Sequence, residues 1–142
     1  MMPSAWADGG TTLVEDGHAV TLHARNATRA AEAQRGLTQA EAVVVGELSS
    51  IAETRRLAEQ VNDLGRYHAV IHNAGVGYRE PRRIETVDGL CHVFAINVLA
   101  PYLLTALVTR PDRLVYLPAE PLRRPHRHRA SAHSLTAASR GP

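Results

Sequence analysis

The spacing of apolar positions along this chain switches repeatedly between a helical and an extended period, and the switches mark its elements. "LVEDG" (13–17) reads as the end of a helix stopped by Gly17, and "AVTLHA" (19–24) as a β-branched, apolar strand. "ATRAAEAQRG" (27–36) is alanine-rich and closes on Gly36, which predicts a second helix. In "EAVVVGELSS" (41–50) a short valine run stands between polar and glycine boundaries, as in a strand covered on both faces. The clearest helix is 50–65. Ser50 is a cap, Glu53 completes a capping box, Ile51, Thr54, Leu57, Ala58, Val61 and Leu64 recur at helical spacing, and Gly65 ends it. "YHAVIHN" (67–73) is the next strand, "REPRR" (79–83) a polar loop, 85–109 one long apolar helix, and "RLVYL" (113–117) a further strand.

Strands that alternate with helices imply parallel β-α-β units with right-handed crossovers, so the expected class is α/β, a doubly wound parallel sheet. After Leu117 the periodicity stops. "PAEPLRRPHRHRASAHSLTAASRGP" is rich in proline, small residues and arginine, and residues 118–142 are expected to form a disordered basic tail beside a folded domain over 1–117.

At 142 residues the chain suits one domain with an aliphatic, alanine-rich core, since 44% of it is hydrophobic and only 4% aromatic. No apolar run is long enough for a membrane span, and the start shows no basic segment followed by a long apolar one. A single cysteine, Cys91, excludes an internal disulfide and fits a reducing, cytoplasmic setting. The net charge of +2 is unevenly placed. Residues 1–120 hold 11 arginines against 14 acids, a balance of −3, whereas 121–142 hold 5 arginines and no acid. The basic character therefore belongs to the tail and is weak support for nucleic-acid binding by the folded part. The chain contains no lysine.

In sheets of this class ligands bind where strands end and helices begin, which singles out four places. Arg25, in "HARN", offers a planar fork to phosphate oxygens, and in dinucleotide folds an arginine here accommodates a 2′-phosphate; the plainer alternative is a solvated strand-end arginine. Glu47 could accept from an adenine amino group, with Leu48 backing the ring, or could simply lead into the next helix. In "HNAGVG", Asn73 can bond backbone groups across strand ends, while Ala74 and Gly75 let the backbone approach a ligand; the alternative is a glycine-rich turn. Asn97, within the apolar "FAINVLAPY", carries an amide that needs partners. Four residues on, Pro101 has no N–H to give the carbonyl of Asn97, so a kinked helix with a structural asparagine competes with a functional carbonyl. Cys91 and His92 have no partner at metal-ligand spacing, the tail histidines His126, His128 and His133 suit only adventitious metal, and Tyr116 reads as packing. No metal site is expected.

These ordered positions resemble the short-chain dehydrogenase/reductase family over about Leu13 to Leu117, through "HAR" after a strand, "GELSS", "NAG" at 73–75, "FAINVLAPYLLT" and "RLVYL". The resemblance implies a partial Rossmann-like sheet of about four strands with flanking helices. It implies hydride transfer between a nicotinamide cofactor and a small alcohol or carbonyl substrate, with Arg25 favouring NADP(H) over NAD(H). It further implies that Glu47 and Leu48 contact adenine, that Asn73, Ala74 and Gly75 form the cofactor floor, that Asn97 is a catalytic member whose main-chain carbonyl holds a relay water, and that the 85–109 helix offers a homo-oligomer face. The pattern departs from the family at both ends. The family opens with a strand and a TGxxxGxG phosphate loop, of which Asp8-Gly9-Gly10 is at best a remnant, and the strand matching "RLVYL" is normally followed by a catalytic serine and a Tyr-x-x-x-Lys pair. Here Pro118-Ala119-Glu120 follows, no tyrosine lies beyond Tyr116, and there is no lysine. A catalytically incompetent chain is the expectation, with a non-enzymatic nucleotide-binding or oligomerisation module as the alternative.

Overall fold

A computed structural model describes residues 5–77, 82–117 and 136–140. The chain runs α1 (Ala5–Glu15), β1 (Ala19–Ala24), α2 (Ala27–Gly36), β2 (Ala42–Val45), α3 (Ile51–Asp63) and β3 (Ala69–His72). It continues through α4 (His92–Phe94), a π-helical turn (Ala95–Leu99), α5 (Ala100–Leu107), β4 (Arg113–Tyr116) and β5 (Thr136–Arg140). The five strands form one sheet in the order β2-β1-β5-β3-β4. β1 pairs parallel with β2 and β3 parallel with β4, whereas β5 runs antiparallel to both its neighbours. The α/β class and the four parallel strands are therefore as the sequence implies.

The two faces of the sheet bury different clusters because strand side chains alternate. Val20 and Leu22 of β1 pack with Ala33, Leu37, Leu13 and Val14 under α1 and α2. On the opposite face Val44 and Val70 pack with Leu57, Val61, Ile96, Ala100 and Leu104 under α3 and α5. Leu57 is 1% exposed, and each such buried aliphatic side chain stabilises the fold by roughly 1.5–3 kcal/mol. Helices on both faces of the sheet make the domain doubly wound.

Three expectations are corrected. The helix foreseen over 85–109 begins only after Cys91, because residues 84–92 close a turn. The Thr86 N–H donates to the Leu90 carbonyl, Gly89 adopts a left-handed φ of 74°, and Glu85 and Cys91 form an isolated bridge. That helix is also not regular: its π turn places an i→i+5 bond from the Ala100 N–H to the Ala95 carbonyl, just before Pro101. The tail expected to be irregular over 118–142 contributes β5. Its five residues take the place between β1 and β3, whose facing backbone groups would otherwise be unpaired. The other tail residues lie outside the described residues, as do His126, His128 and His133.

The α3 cap is also rewired. Ser50 Oγ accepts from the Glu53 N–H as foreseen (3.3 Å), but the Glu53 carboxylate reaches past Ser50 to the N–H of Glu47 (2.8 Å). Asp8-Gly9-Gly10 lies inside α1 rather than in a loop.

Candidate functional site

The carboxyl ends of the four parallel strands lie along one edge of the sheet, and the residues that follow them form the candidate site. Arg25 follows β1, Gly46 and Glu47 follow β2, Asn73 follows β3 and Leu117 follows β4. Two strand spacings, about 10 Å, separate Arg25 from Asn73, with the first residue of β5 between them.

Asn73 is exposed, Ala74 and Gly75 are half-buried, and Val76 turns back into the core. The loop is held there by Asn97, whose Oδ1 accepts from the Val76 N–H (2.9 Å) while its Nδ2 donates to the Val76 carbonyl (3.1 Å). The helix amide thus replaces a strand neighbour for one residue of the loop. The amide foreseen to need partners finds both on one residue, and the π turn around Asn97 sits where Pro101 removes the ordinary i→i−4 donor. A Cβ at Gly77 would meet nothing within 4 Å among the described residues.

Arg25 is exposed, and no ion pair engages it among the described residues. Its neighbour Asn26 caps α2 by accepting from the Arg29 N–H (2.9 Å). Glu47 is half-buried and already accepts from the Ser49 N–H through Oε1 (3.2 Å). Leu48 is 4% exposed and belongs to the core beneath α3, so it presents almost no surface to a ring. Asn97 is therefore hydrogen-bonded to Val76, the residue that follows Asn73, Ala74 and Gly75. Arg25 and Glu47 stand farther along the sheet, and Leu48 is set below it.

Two groups were not visible as chemistry in the sequence. His23 is buried, and its Nε2 lies 2.7 Å from the Gly46 carbonyl, so that nitrogen carries the proton. Burial pushes its pKa down, opposed in part by that carbonyl and by the Glu47 charge. At the end of β3, His72 Nε2 lies 3.3 Å from Thr105 Oγ1, which is 2.6 Å from the Tyr116 hydroxyl, and the His72 and Tyr116 rings stack with centroids 4.9 Å apart. Burial lowers the His72 pKa as well. Tyr116 was expected to pack within its strand; half its surface is exposed instead, and it joins a polar chain from solvent to a buried imidazole. The signal available was the position of His72 immediately before the Asn73 loop.

This geometry agrees with what the chain is similar to. Residues 10–113 match the model of the short chain dehydrogenase family. An uncharacterized oxidoreductase of Emericella nidulans is 54% identical over 110 residues, 76% of this chain and 43% of the relative. A short-chain dehydrogenase, chyC, of Penicillium rubens is 43% identical over 105 residues, 74% of this chain and 40% of the relative. Another, chry4 of Gibberella zeae, is 41% identical over a similar span. No solved structure matches significantly. The chain belongs to the short-chain dehydrogenase family and spans about two-fifths of the length of these curated relatives. Among the described residues no helix is long and apolar enough to cross a membrane.

Proposed function

We propose that this chain supplies the NADP(H)-binding edge of a short-chain dehydrogenase and that the 142 residues alone do not turn substrate over. The observation that carries the reading is the pair of hydrogen bonds by which Asn97 holds Val76 at the end of the Asn73–Val76 loop, two strands from an exposed Arg25 that no ion pair engages among the described residues. Exposed Asn73 and Gly77, uncrowded among the described residues, leave room for a ligand against the backbone, and the Arg25 guanidinium suits a 2′-phosphate. Glu47 keeps one carboxylate oxygen available for an adenine amino group, with Leu48 as packing beneath it. When bound, NADP(H) donates or accepts the hydride exchanged with an alcohol or carbonyl carbon.

The residues fit the floor and the 2′-phosphate end, but not the pyrophosphate. Asp8-Gly9-Gly10 is helical, and no described glycine loop opens a helix at this edge between Arg25 and Asn73. The serine, tyrosine and lysine that the family pattern places after β4 have no counterparts, since Pro118-Ala119-Glu120 follows and no lysine exists. Without them the chain lacks the tyrosine–lysine pair that, in the family pattern, passes a proton to the substrate oxygen.

Thermal-shift and calorimetric titration test the binding half. NADPH is expected to raise Tm and NADH to raise it less. Arg25→Ala is expected to weaken NADPH by about tenfold, or ~1.4 kcal/mol, and to leave NADH unchanged. No stabilisation by either nucleotide would remove the reading. For the catalytic half, NADPH oxidation with a panel of aldehydes and ketones is expected to stay at the protein-free rate, and sustained turnover by the purified chain would refute it.

A further inference from the structure

We propose that His23, buried on β1, is a positioning residue for the adenosine end of the nucleotide: it fixes the Gly46–Glu47 peptide and, through it, the Glu47 side chain. This role rests on the nucleotide-binding reading above and gives that site a residue which does not itself touch the ligand. The Gly46–Glu47 peptide lies just beyond β2 and is held at both of its polar ends. Its carbonyl lies 2.7 Å from His23 Nε2, and its N–H donates to Glu53 Oε2 at 2.8 Å. A carbonyl only accepts, so Nε2 is the donor. A third bond, from the Gly46 N–H to the Ala24 carbonyl at 3.0 Å, ties the same turn to the peptide from which Arg25 departs.

Two features separate the His23 bond from ordinary sheet pairing. The strands are paired without it, since Thr21 to Ala24 stand in register with Ala42 to Val45. The bond therefore constrains the peptide that leaves the sheet rather than the sheet. Gly46, in turn, cannot carry a Cβ, which would meet the Glu53 carbonyl and Leu57 Cβ at 3.2 Å each. A glycine gives the adjoining peptide plane little steric resistance to rotation, so the plane is held by its hydrogen bonds. Solvent does not replace the donor. His23 is 2% exposed and Gly46 is buried. The imidazole forms one wall of a cavity of about 20 Å³ whose other lining residues are all valine or leucine. A water there would find too few polar partners to stand in for the imidazole. Loss of the donor leaves a buried carbonyl unpaired, and rotation of the peptide relieves it. That rotation takes the Glu47 N–H off Glu53 and carries the Glu47 carboxylate away from the Ser49 N–H, its partner at 3.2 Å.

The test uses the full chain and adenosine 2′,5′-bisphosphate, which carries the adenine and the 2′-phosphate and nothing of the nicotinamide half. His23→Leu removes the donor at similar volume, His23→Met is a second variant without a donor should leucine fail to fold, and His23→Gln restores an N–H near the Nε2 position. Calorimetric titration is expected to show binding weakened by about tenfold in the donorless variants, the worth of one hydrogen bond, and recovered in His23→Gln. In a Glu47→Ala background the same donorless substitution is expected to cost less than about twofold more, because both changes remove one contact. Without ligand, amide hydrogen exchange at Glu47 is expected to be about tenfold faster in the donorless variants and to return to the wild-type rate in His23→Gln. An equal loss in the wild-type and Glu47→Ala backgrounds would make His23 merely structural and overturn the proposal. So would unchanged exchange at Glu47, or a His23→Gln protein that binds as poorly as His23→Leu. Wild-type protein that binds neither the bisphosphate nor NADPH removes the nucleotide-binding reading and this role with it, whereas wild-type protein that binds, with His23→Leu its equal, overturns the role alone.

Discussion

Asn97 and Gly46 show how single residues set this site. Asn97 satisfies both backbone groups of Val76, so Asn97→Leu leaves a buried N–H and carbonyl without partners, at a cost of about 1–3 kcal/mol. Asn97→Asp keeps the acceptor but sets a carboxylate oxygen against the Val76 carbonyl, and it is expected to destabilise by a similar amount. Urea unfolding checks both, and wild-type midpoints would show that the loop is held by something else. Gly46 has a different constraint. A Cβ there would meet the Glu53 carbonyl and Leu57 Cβ, each at 3.2 Å, so Gly46→Ala pushes α3 off the end of β2. The expected loss is about 1–3 kcal/mol, read in the same experiment. Neither role was written in the sequence. The need of the Asn97 amide for partners was legible, but its partner lies 21 residues away and depends on how the loop turns. Gly46 read only as a boundary of the valine run, because the helix it admits arrives from beyond Ser50.

His23 and His72 are buried residues that must remain neutral, and they make the elements bearing them sensitive to acid. Burial holds the pKa of each below the ordinary 6.5. The unfolded chain therefore binds more protons than the folded one at pH values between the folded pKa and 6.5. The stability these residues contribute is complete above about pH 6.5 and is lost as pH falls through the folded pKa. β1 and β3 are expected to loosen together below pH 6.5, with a slope of up to about 1.4 kcal/mol per pH unit for each histidine. His72→Phe, which retains a ring to stack on Tyr116, is expected to flatten this limb in denaturant titrations at pH 5–7. An unchanged slope in that variant would show that His72 does not carry the effect. At this scale the sequence was informative wherever local rules decide. β1, β2, α3 and β3 each follow from periodicity and caps, and they appear within a few residues of expectation. It was uninformative where a long-range contact decides. The turn at Gly89 is anchored by Asp88 Oδ2 accepting from the Ile51 N–H, 37 residues away, and that contact shortens the apparent 85–109 helix.

At the scale of the molecule, β5 decides which strand edges stay open. The inner edges of β1 and β3 are covered, and the edge strands are β2 and β4; on β4, Leu114, Val115 and Tyr116 are each more than a third exposed. An unprotected apolar edge strand is a template for pairing with another sheet. A second apolar surface lies on the helix from His92 to Leu107. Phe94, Val98 and Tyr102 recur four residues apart and are 46%, 54% and 68% exposed, a stripe along one helical face. The two surfaces differ in what they would build. A helix stripe packs against its own copy about a two-fold axis and closes at a dimer, whereas edges can add strands without closing. Sedimentation velocity separates the cases. Val98→Glu is expected to weaken a discrete dimer at least tenfold, or ~1.4 kcal/mol, and to leave larger species unchanged. Val115→Lys, a charge on the edge, is expected to suppress the larger species and to leave the dimer. A distribution that neither substitution alters would mean that association, if present, uses neither surface, and a monomer at all concentrations would remove both as interfaces of this chain.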